Sequence, residues 1–172
     1  MQEREGRPDP RRAREFEAFV AGAGGRLLHA ATLLTAEPEG AAPLAERLLV
    51  DTLARTYAGW DRLRGEDPYA RTREELAGRF ARGAWHYRRP RGGLLSRLPP
   101  QERLILVLRL HEGVDEEQTA ACLGLPVERV RAVCTRAVAT MLSRPDPPEE
   151  TGTPEHGAAA PERQKKKVGG PA

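Results

Sequence analysis

The sequence predicts an all-α protein of two small helical domains, and three observations support this fold class. Between about residues 15 and 143, apolar residues recur at every third or fourth position, as on the buried face of a helix. Hydrophobic residues make up 39% of the 172 residues but aromatic residues only 5%, so the core must consist largely of Leu, Val and Ala. Proline, aspartate and glycine also stand where helices are expected to begin and end.

The first domain, residues 15–91, is predicted to contain three helices, over about residues 12–34, 43–60 and 68–84. Its third helix leads into a basic, aromatic segment, Trp85-His86-Tyr87-Arg88-Arg89-Pro90-Arg91. Seven arginines but only two glutamates occur from residue 71 to residue 91, although the whole chain has a net charge of only +3. Basic charge is therefore concentrated in this part of the chain, as it is in proteins that bind nucleic acid.

The second domain, residues 98–143, is predicted to follow a short linker, residues 92–97, in which Gly92-Gly93 forms a flexible joint. Pro99-Pro100 opens a helix that stops at Gly113. Asp115, with Gln118 three residues later, predicts a capped short helix that ends before Gly124. A last helix covers about residues 126–142, with apolar side chains on one face and a polar face that carries Glu128, Arg129, Ala132, Arg136 and Thr140.

The last two helices have the spacing of a helix-turn-helix, in which the second helix enters the major groove of DNA. Ala120 suits a close helix crossing, and Gly124 gives the turn its backbone freedom. Arg129 and Arg136, with Arg131 at the edge of the same face, would reach phosphates and base edges. The alternative is an ordinary three-helix bundle whose arginines are merely solvated.

Several other classes of protein are disfavoured by the sequence. It has no apolar run of the ~18 residues that a membrane helix needs and no signal peptide, which predicts a cytoplasmic protein without a membrane partner. Two cysteines and four histidines share no metal-ligand spacing, so neither a metal site nor a cofactor is expected. No phosphate-binding loop or nucleophile motif argues for an enzyme. Both ends, residues 1–14 and 144–172, are predicted to be disordered.

The segment Leu98-Pro99-Pro100-Gln101-Glu102-Arg103, continued by LILVLRLHEGVDEEQTAACLGLPVERVRAVCTRAVATML, resembles region 4 of sigma-70-type factors of the extracytoplasmic-function class. The similarity spans about 45 residues with the family's spacing throughout. In the first domain, AERLLVDTLARTYAGW and the basic, aromatic segment look like region 2 of the same proteins. The resemblance covers roughly residues 15–142.

The resemblance implies a promoter-specificity subunit that brings RNA polymerase to DNA and starts transcription. Its implied partners are promoter DNA, core RNA polymerase and, as a further candidate, an anti-sigma protein. The residues that match the family's polymerase-binding positions are Glu46, Leu48, Leu49, Asp51 and Leu53. The residues implied to bind DNA are Arg129, Arg131 and Arg136 in the last helix and Trp85, Tyr87, Arg88, Arg89 and Arg91 in the basic segment, with Phe80 as a further base-stacking candidate.

Several positions depart from the family pattern, among them three on the predicted polymerase-binding and DNA-binding helices. Arg47 stands where the family usually has Asp, Val50 where it has Gln, and Glu128 adds an anion to the predicted DNA-facing surface. These departures favour a second hypothesis, a sigma-derived regulator that binds polymerase or a regulatory protein without recognising promoters.

Overall fold

The computed structural model describes residues 9–63 and 65–143, and within those ranges the chain is helical and contains no strand. The described residues form six α-helices: α1 Pro10–Thr35, α2 Pro43–Ala58, α3 Pro68–Arg82, α4 Pro100–Leu106, α5 Glu116–Leu123 and α6 Val127–Leu142. Short 3-10 turns cover Trp60–Leu63 and Ala84–Tyr87, and α4 continues into a π-helical turn, Val107–His111. The predicted all-α class is confirmed.

The start of α1 lies earlier than the sequence predicts. Residues 10–14, expected to be disordered, form its first turn, because Pro10 occupies a first-turn position and the Asp9 carboxylate accepts a hydrogen bond from Arg11 N at 3.0 Å. Disorder is also predicted for residues 1–8 and 144–172, and these residues lie outside the described part of the chain.

Helices α1, α2 and α3 form a bundle whose core is dominated by Leu27, Leu34, Leu76 and Phe80, all of them at most 2% exposed. At one end of α1, the rings of Phe16, Phe19, Tyr57 and Trp60 pack together with centroids 4.9–6.0 Å apart. This cluster ties the first turns of α1 to the end of α2. Burial of each large apolar side chain contributes roughly 1.5–3 kcal/mol to folding.

The N-terminus of α2 is capped from a distance. Ala42 offers no side-chain acceptor at the capping position. Instead, the buried carboxylate of Glu37 accepts hydrogen bonds from Leu44 N at 3.2 Å and Ala45 N at 2.9 Å. A carboxylate at this position satisfies free backbone N–H groups and complements the positive end of the helix dipole.

The helix-turn-helix of the second domain forms as its local sequence predicts. The Asp115 side chain accepts a hydrogen bond from Gln118 N at 2.7 Å, which caps α5. Gly124 ends α5 in the left-handed conformation, with φ at 63°. Ala120 is 3% exposed and belongs to a small core with Ile105, Val130 and Val133.

The two groups of helices pack against each other. Helix α4 contacts α1, α3 and the Ala84–Tyr87 turn, and the main apolar core contains residues from both groups. The predicted flexible joint is instead docked on the end of α1: Gly93 is buried and its N–H donates to Ala36 O at 2.9 Å. A methyl group at Gly93 would lie 2.6 Å from that carbonyl oxygen, so the close approach requires glycine here.

None of the described helices is both long enough and apolar enough to cross a membrane.

Candidate nucleic-acid interface

Helix α6 presents two different faces. Val130, Val133 and Ala137 are at most 1% exposed and pack on the helices before it. The opposite face, which carries Glu128, Arg129, Arg131, Ala132, Thr135 and Arg136, is exposed. The predicted recognition face is therefore open to solvent.

Two arginines of this face are held by carboxylates from neighbouring helices. Arg131 donates to Glu116 through Nε at 3.0 Å and through Nη2 at 2.8 Å. Arg136 Nη2 lies 2.8 Å from a carboxylate oxygen of Glu102, to which its Nε also donates. Arg129, by contrast, forms no ion pair with any described residue. The surface around α6 is thus less positive than its arginines alone would make it.

The basic, aromatic segment splits into an exposed part and a packed part. Trp85 is 64% exposed, and Arg88 and Arg89 are also exposed. The Tyr87 ring stacks on Phe80 at a centroid distance of 4.9 Å. Burial raises the pKa of Tyr87, while the nearby Arg91 acts in the opposite direction.

One candidate from the sequence is excluded by this packing. Phe80 is completely buried and cannot stack on a base in this conformation. Arg91 is partly buried, and its guanidinium donates to two backbone carbonyl oxygens, those of His86 at 3.0 Å and Arg89 at 3.1 Å.

The α2 residues predicted to meet the polymerase divide in the same way. Glu46 and Asp51 are exposed, and Leu53 is partly buried. Leu48 and Leu49 are 6% and 8% exposed, so their assignment to a polymerase-facing surface is corrected: both belong to the bundle core. The exposed neighbours of Glu46 and Asp51 are Arg47 and Val50, and Val50 is 63% exposed.

A buried arginine that the sequence did not single out joins the two domains. Arg103 of α4 is 1% exposed, donates to Leu34 O at 2.7 Å and to Tyr87 O, and lies over the ring of Phe80. No carboxylate among the described residues pairs with it. Burial, with a smaller contribution from Arg91, lowers the pKa of Arg103 to about 10. This side chain fixes α4 to the end of α1 and to the basic segment.

A second polar contact crosses the same boundary at the end of the π-helical turn. The Glu112 side chain is 1% exposed and accepts hydrogen bonds from the hydroxyl of Tyr69, which lies 3.0 Å from both of its carboxylate oxygens. Arg26 of α1 and the neighbouring His111 each approach the same carboxylate to 3.4 Å. The spacing of residues in the sequence could not identify Arg103 and Glu112 as contacts between the two domains, because the residues that they contact in the first domain lie far away in the chain.

The described part of the chain shows no group of three or more His, Cys, Asp or Glu side chains that could hold a metal ion.

Comparisons with known proteins agree with this architecture. Residues 94–141 match the family model of sigma-70 region 4. The structure of CnrH in complex with the cytosolic domain of CnrY is similar to this chain, with a TM-score of 0.56 and 25% sequence identity. The similarity covers 75% of this chain and 86% of that one. No curated protein sequence matches the chain significantly.

The region 4 match covers the helix-turn-helix, and the likeness to CnrH, an extracytoplasmic-function sigma factor, extends over three quarters of the chain. Together, the match of residues 94–141 and the likeness to CnrH support a relationship to divergent extracytoplasmic-function members of the sigma-70 family, a family of DNA-binding transcription factors.

Proposed function

We propose that this protein directs RNA polymerase to promoters and that α6 is the helix that reads promoter DNA. The observation that carries the proposal is the division of α6 within the region 4 match: one face is buried, while Arg129, Arg131 and Arg136 lie on the exposed face. A helix of this kind can enter the major groove and bring arginines to phosphates and to guanine edges.

The basic, aromatic segment is proposed as the second DNA-binding surface. Trp85, Arg88 and Arg89 are exposed there, so an aromatic ring and two cations are available to an unpaired strand. Tyr87 and Arg91 support this surface from partly buried positions.

Core RNA polymerase is the proposed protein partner of α2. Glu46 and Asp51 offer exposed carboxylates on this helix, and Leu53 adds a partly buried apolar edge. A regulatory protein of the anti-sigma type is a further proposed partner, because the similar protein CnrH was solved with the cytosolic domain of CnrY.

The first test measures binding of duplex DNA, selected from a random pool, at several salt concentrations. Each phosphate contact that is removed should flatten the slope of log K against log salt by about 0.9. Arg129→Gln is expected to weaken binding most, because Arg129 has no described carboxylate partner to neutralise it. Arg62→Gln, a change at an exposed arginine outside the interface, serves as the matched control.

A parallel pull-down asks whether core polymerase subunits associate with the protein. Co-purification together with duplex binding would support promoter direction. If the wild-type protein binds no duplex, alone or with core polymerase, the proposal fails.

The second candidate function, a regulator that binds polymerase or a regulatory protein without recognising promoters, has specific observations in its favour. Glu116 and Glu102 neutralise two of the three arginines on α6, and Glu128 is exposed on the same face. Arg47 and Val50 are exposed on α2, where the family usually has Asp and Gln. Association with polymerase in the absence of any DNA binding would favour this candidate.

A further inference from the structure

The ion pair between α5 and α6 occupies only one edge of the Arg131 guanidinium. Nε and Nη2 of Arg131 both donate to the same carboxylate oxygen of Glu116, at 3.0 Å and 2.8 Å. The N–H groups of Nη1 and the second N–H of Nη2 have no acceptor among the described residues. Because the Arg131 side chain is 60% exposed, the fork formed by Nη1 and Nη2 is open to a ligand.

The Glu116 carboxylate is itself held from the other side. Glu116 is the first residue of α5, and its side chain is only 23% exposed. Its second carboxylate oxygen lies 3.8 Å from Arg109 Nη2, and Arg109 also donates to Val114 O just before α5. The positive end of the α5 dipole favours a carboxylate at this position as well. These contacts restrict where the carboxylate can place the Arg131 guanidinium.

The place of Arg131 in α6 separates it from the other two arginines of this face. In a helix-turn-helix, the N-terminal residues of the second helix contact the base edges. Arg131 lies in that half of α6, whereas Arg136 lies in the C-terminal half and pairs with Glu102 of α4. Arg129 also lies near the start of α6, but no described carboxylate orients it. Of the three, Arg131 alone combines an N-terminal position with a guanidinium that a described carboxylate holds.

We infer that Glu116 is a positioning residue for base recognition, which holds Arg131 by its Nε edge and leaves the Nη1–Nη2 fork for the O6 and N7 acceptors of a guanine. The inference rests on the proposed function and deepens it, because it assigns the orientation of one α6 arginine to a carboxylate of α5. An arginine that is restrained before binding loses less side-chain entropy when it meets its base. The same carboxylate offsets the charge of Arg131, so this arginine contributes more to the choice of sequence than to the attraction of phosphates.

The test compares two duplexes by fluorescence anisotropy with the full chain. The selected duplex is the one obtained from the random pool, and the shuffled duplex has the same base composition in scrambled order. The specificity ratio is the Kd for the shuffled duplex divided by the Kd for the selected duplex. Glu116→Gln should lower this ratio about 5-fold or more, the discrimination that a bidentate arginine–guanine pair provides. Affinity for the shuffled duplex should not fall, since the variant removes a negative charge.

Glu117→Gln is the matched control. Glu117 lies in the same first turn of α5, is exposed and forms no ion pair with any described residue. Its replacement removes the same charge and should tighten both duplexes alike, which leaves the ratio unchanged. Glu116→Asp keeps the charge at the helix N-terminus but shortens the side chain, so it should also lower the ratio. Thermal melts followed by circular dichroism show whether each variant folds like the wild type.

The dependence on Arg131 is tested in the same assay. In an Arg131→Gln background, Glu116→Gln should not change the ratio further. Replacing each G·C pair of the selected duplex by A·T should reveal one pair at which the wild type loses about 5-fold or more in affinity while Arg131→Gln loses nothing.

Equal tightening of both duplexes by Glu116→Gln would mean that Glu116 merely neutralises Arg131, and the inference would be wrong. The inference also fails if Glu116→Asp keeps the wild-type ratio, or if Arg131→Gln remains as sensitive as the wild type at every G·C pair. In each of these cases, a wild-type preference for the selected duplex would still support the proposed function. A wild type that binds neither duplex would overturn both.

Discussion

Replacing Tyr69 with phenylalanine should destabilise the contact between the two domains. The Tyr69 hydroxyl lies 3.0 Å from both oxygens of Glu112, whose side chain is only 1% exposed. A hydrogen bond to a charged group contributes about 1.5–3 kcal/mol, and its loss leaves the buried carboxylate less well satisfied. Arg26, whose Nη2 lies 3.4 Å from a carboxylate oxygen, remains as a charged partner of Glu112. We therefore expect Tyr69→Phe to lower the free energy of unfolding by about 1.5–3 kcal/mol.

Urea denaturation followed by circular dichroism measures this difference directly. Tyr57→Phe is the matched control, because the Tyr57 hydroxyl makes no hydrogen bond to any described residue although its ring is packed beside Phe16. The control should change the unfolding free energy by less than about 0.5 kcal/mol.

The same contact predicts a pH dependence. Burial raises the pKa of Tyr69 from 10.0 to about 12, and the hydrogen bond to Glu112 and the charge of Glu112 act in the same direction. Because the folded state favours the protonated phenol, its contribution to stability is fully present below pH 10 and is lost as the pH rises towards 12. Spectrophotometric titration of the folded wild type should show Tyr69 and Tyr87 ionising late, and Tyr69→Phe should remove one of these two late-ionising groups. If Tyr69→Phe and Tyr57→Phe have equal free energies of unfolding, or if Tyr69 ionises near pH 10, the reasoning is refuted.

The other predictions concern packing and charge. Gly93→Ala should destabilise the protein by about 1–3 kcal/mol, because the new methyl group would lie 2.6 Å from Ala36 O. Gly25→Ala, at a position of α1 with open space around it, should instead stabilise the protein by about 0.5–1 kcal/mol. Equal denaturation midpoints of the two variants would contradict this prediction. Ala120→Leu should overpack the crossing of α5 and α6 at a cost of about 1–3 kcal/mol, and an unchanged melting temperature would show that Ala120 is not at the crossing. Glu128→Gln should strengthen duplex binding by relieving repulsion from phosphate, as anisotropy titrations can measure; weaker binding would mean that Glu128 accepts a hydrogen bond from a cytosine.

Features that depend on neighbouring residues could be predicted from the sequence. Asp115 caps α5 through Gln118 N, and Gly124 ends that helix with a positive φ, because both effects act within one helical turn. The division of α6 into a buried and an exposed face also followed from helical periodicity.

Features that depend on how distant helices pack could not be predicted in this way. Helical periodicity predicts that Leu48 and Leu49 lie on one helix, but it does not predict that both side chains are buried in the core while Val50 is exposed. The pairing of Arg136 with Glu102 joins residues from α6 and α4, and its geometry exists only after the two helices have met. The Gly92-Gly93 pair by itself predicts a flexible joint, and the docking of Gly93 is not visible in the sequence because it depends on the backbone at the end of α1.

The buried Arg103 illustrates the same limit. Its position in α4 matches the family pattern, but its partners are carbonyl oxygens of Leu34 and Tyr87 in the first domain. A carbonyl acceptor has no side-chain signature, so no pattern in the sequence could identify these partners.

Reconstituted transcription tests the central claim, promoter direction through α6, most directly. Core RNA polymerase is mixed with genomic DNA of the organism that encodes the protein, with or without the protein, and transcript start sites are mapped. We predict discrete new start sites that share an upstream sequence and that disappear when Arg129, Arg131 and Arg136 are all changed to Gln. Stable association with core polymerase without any new start site would contradict promoter direction and leave the regulator as the function.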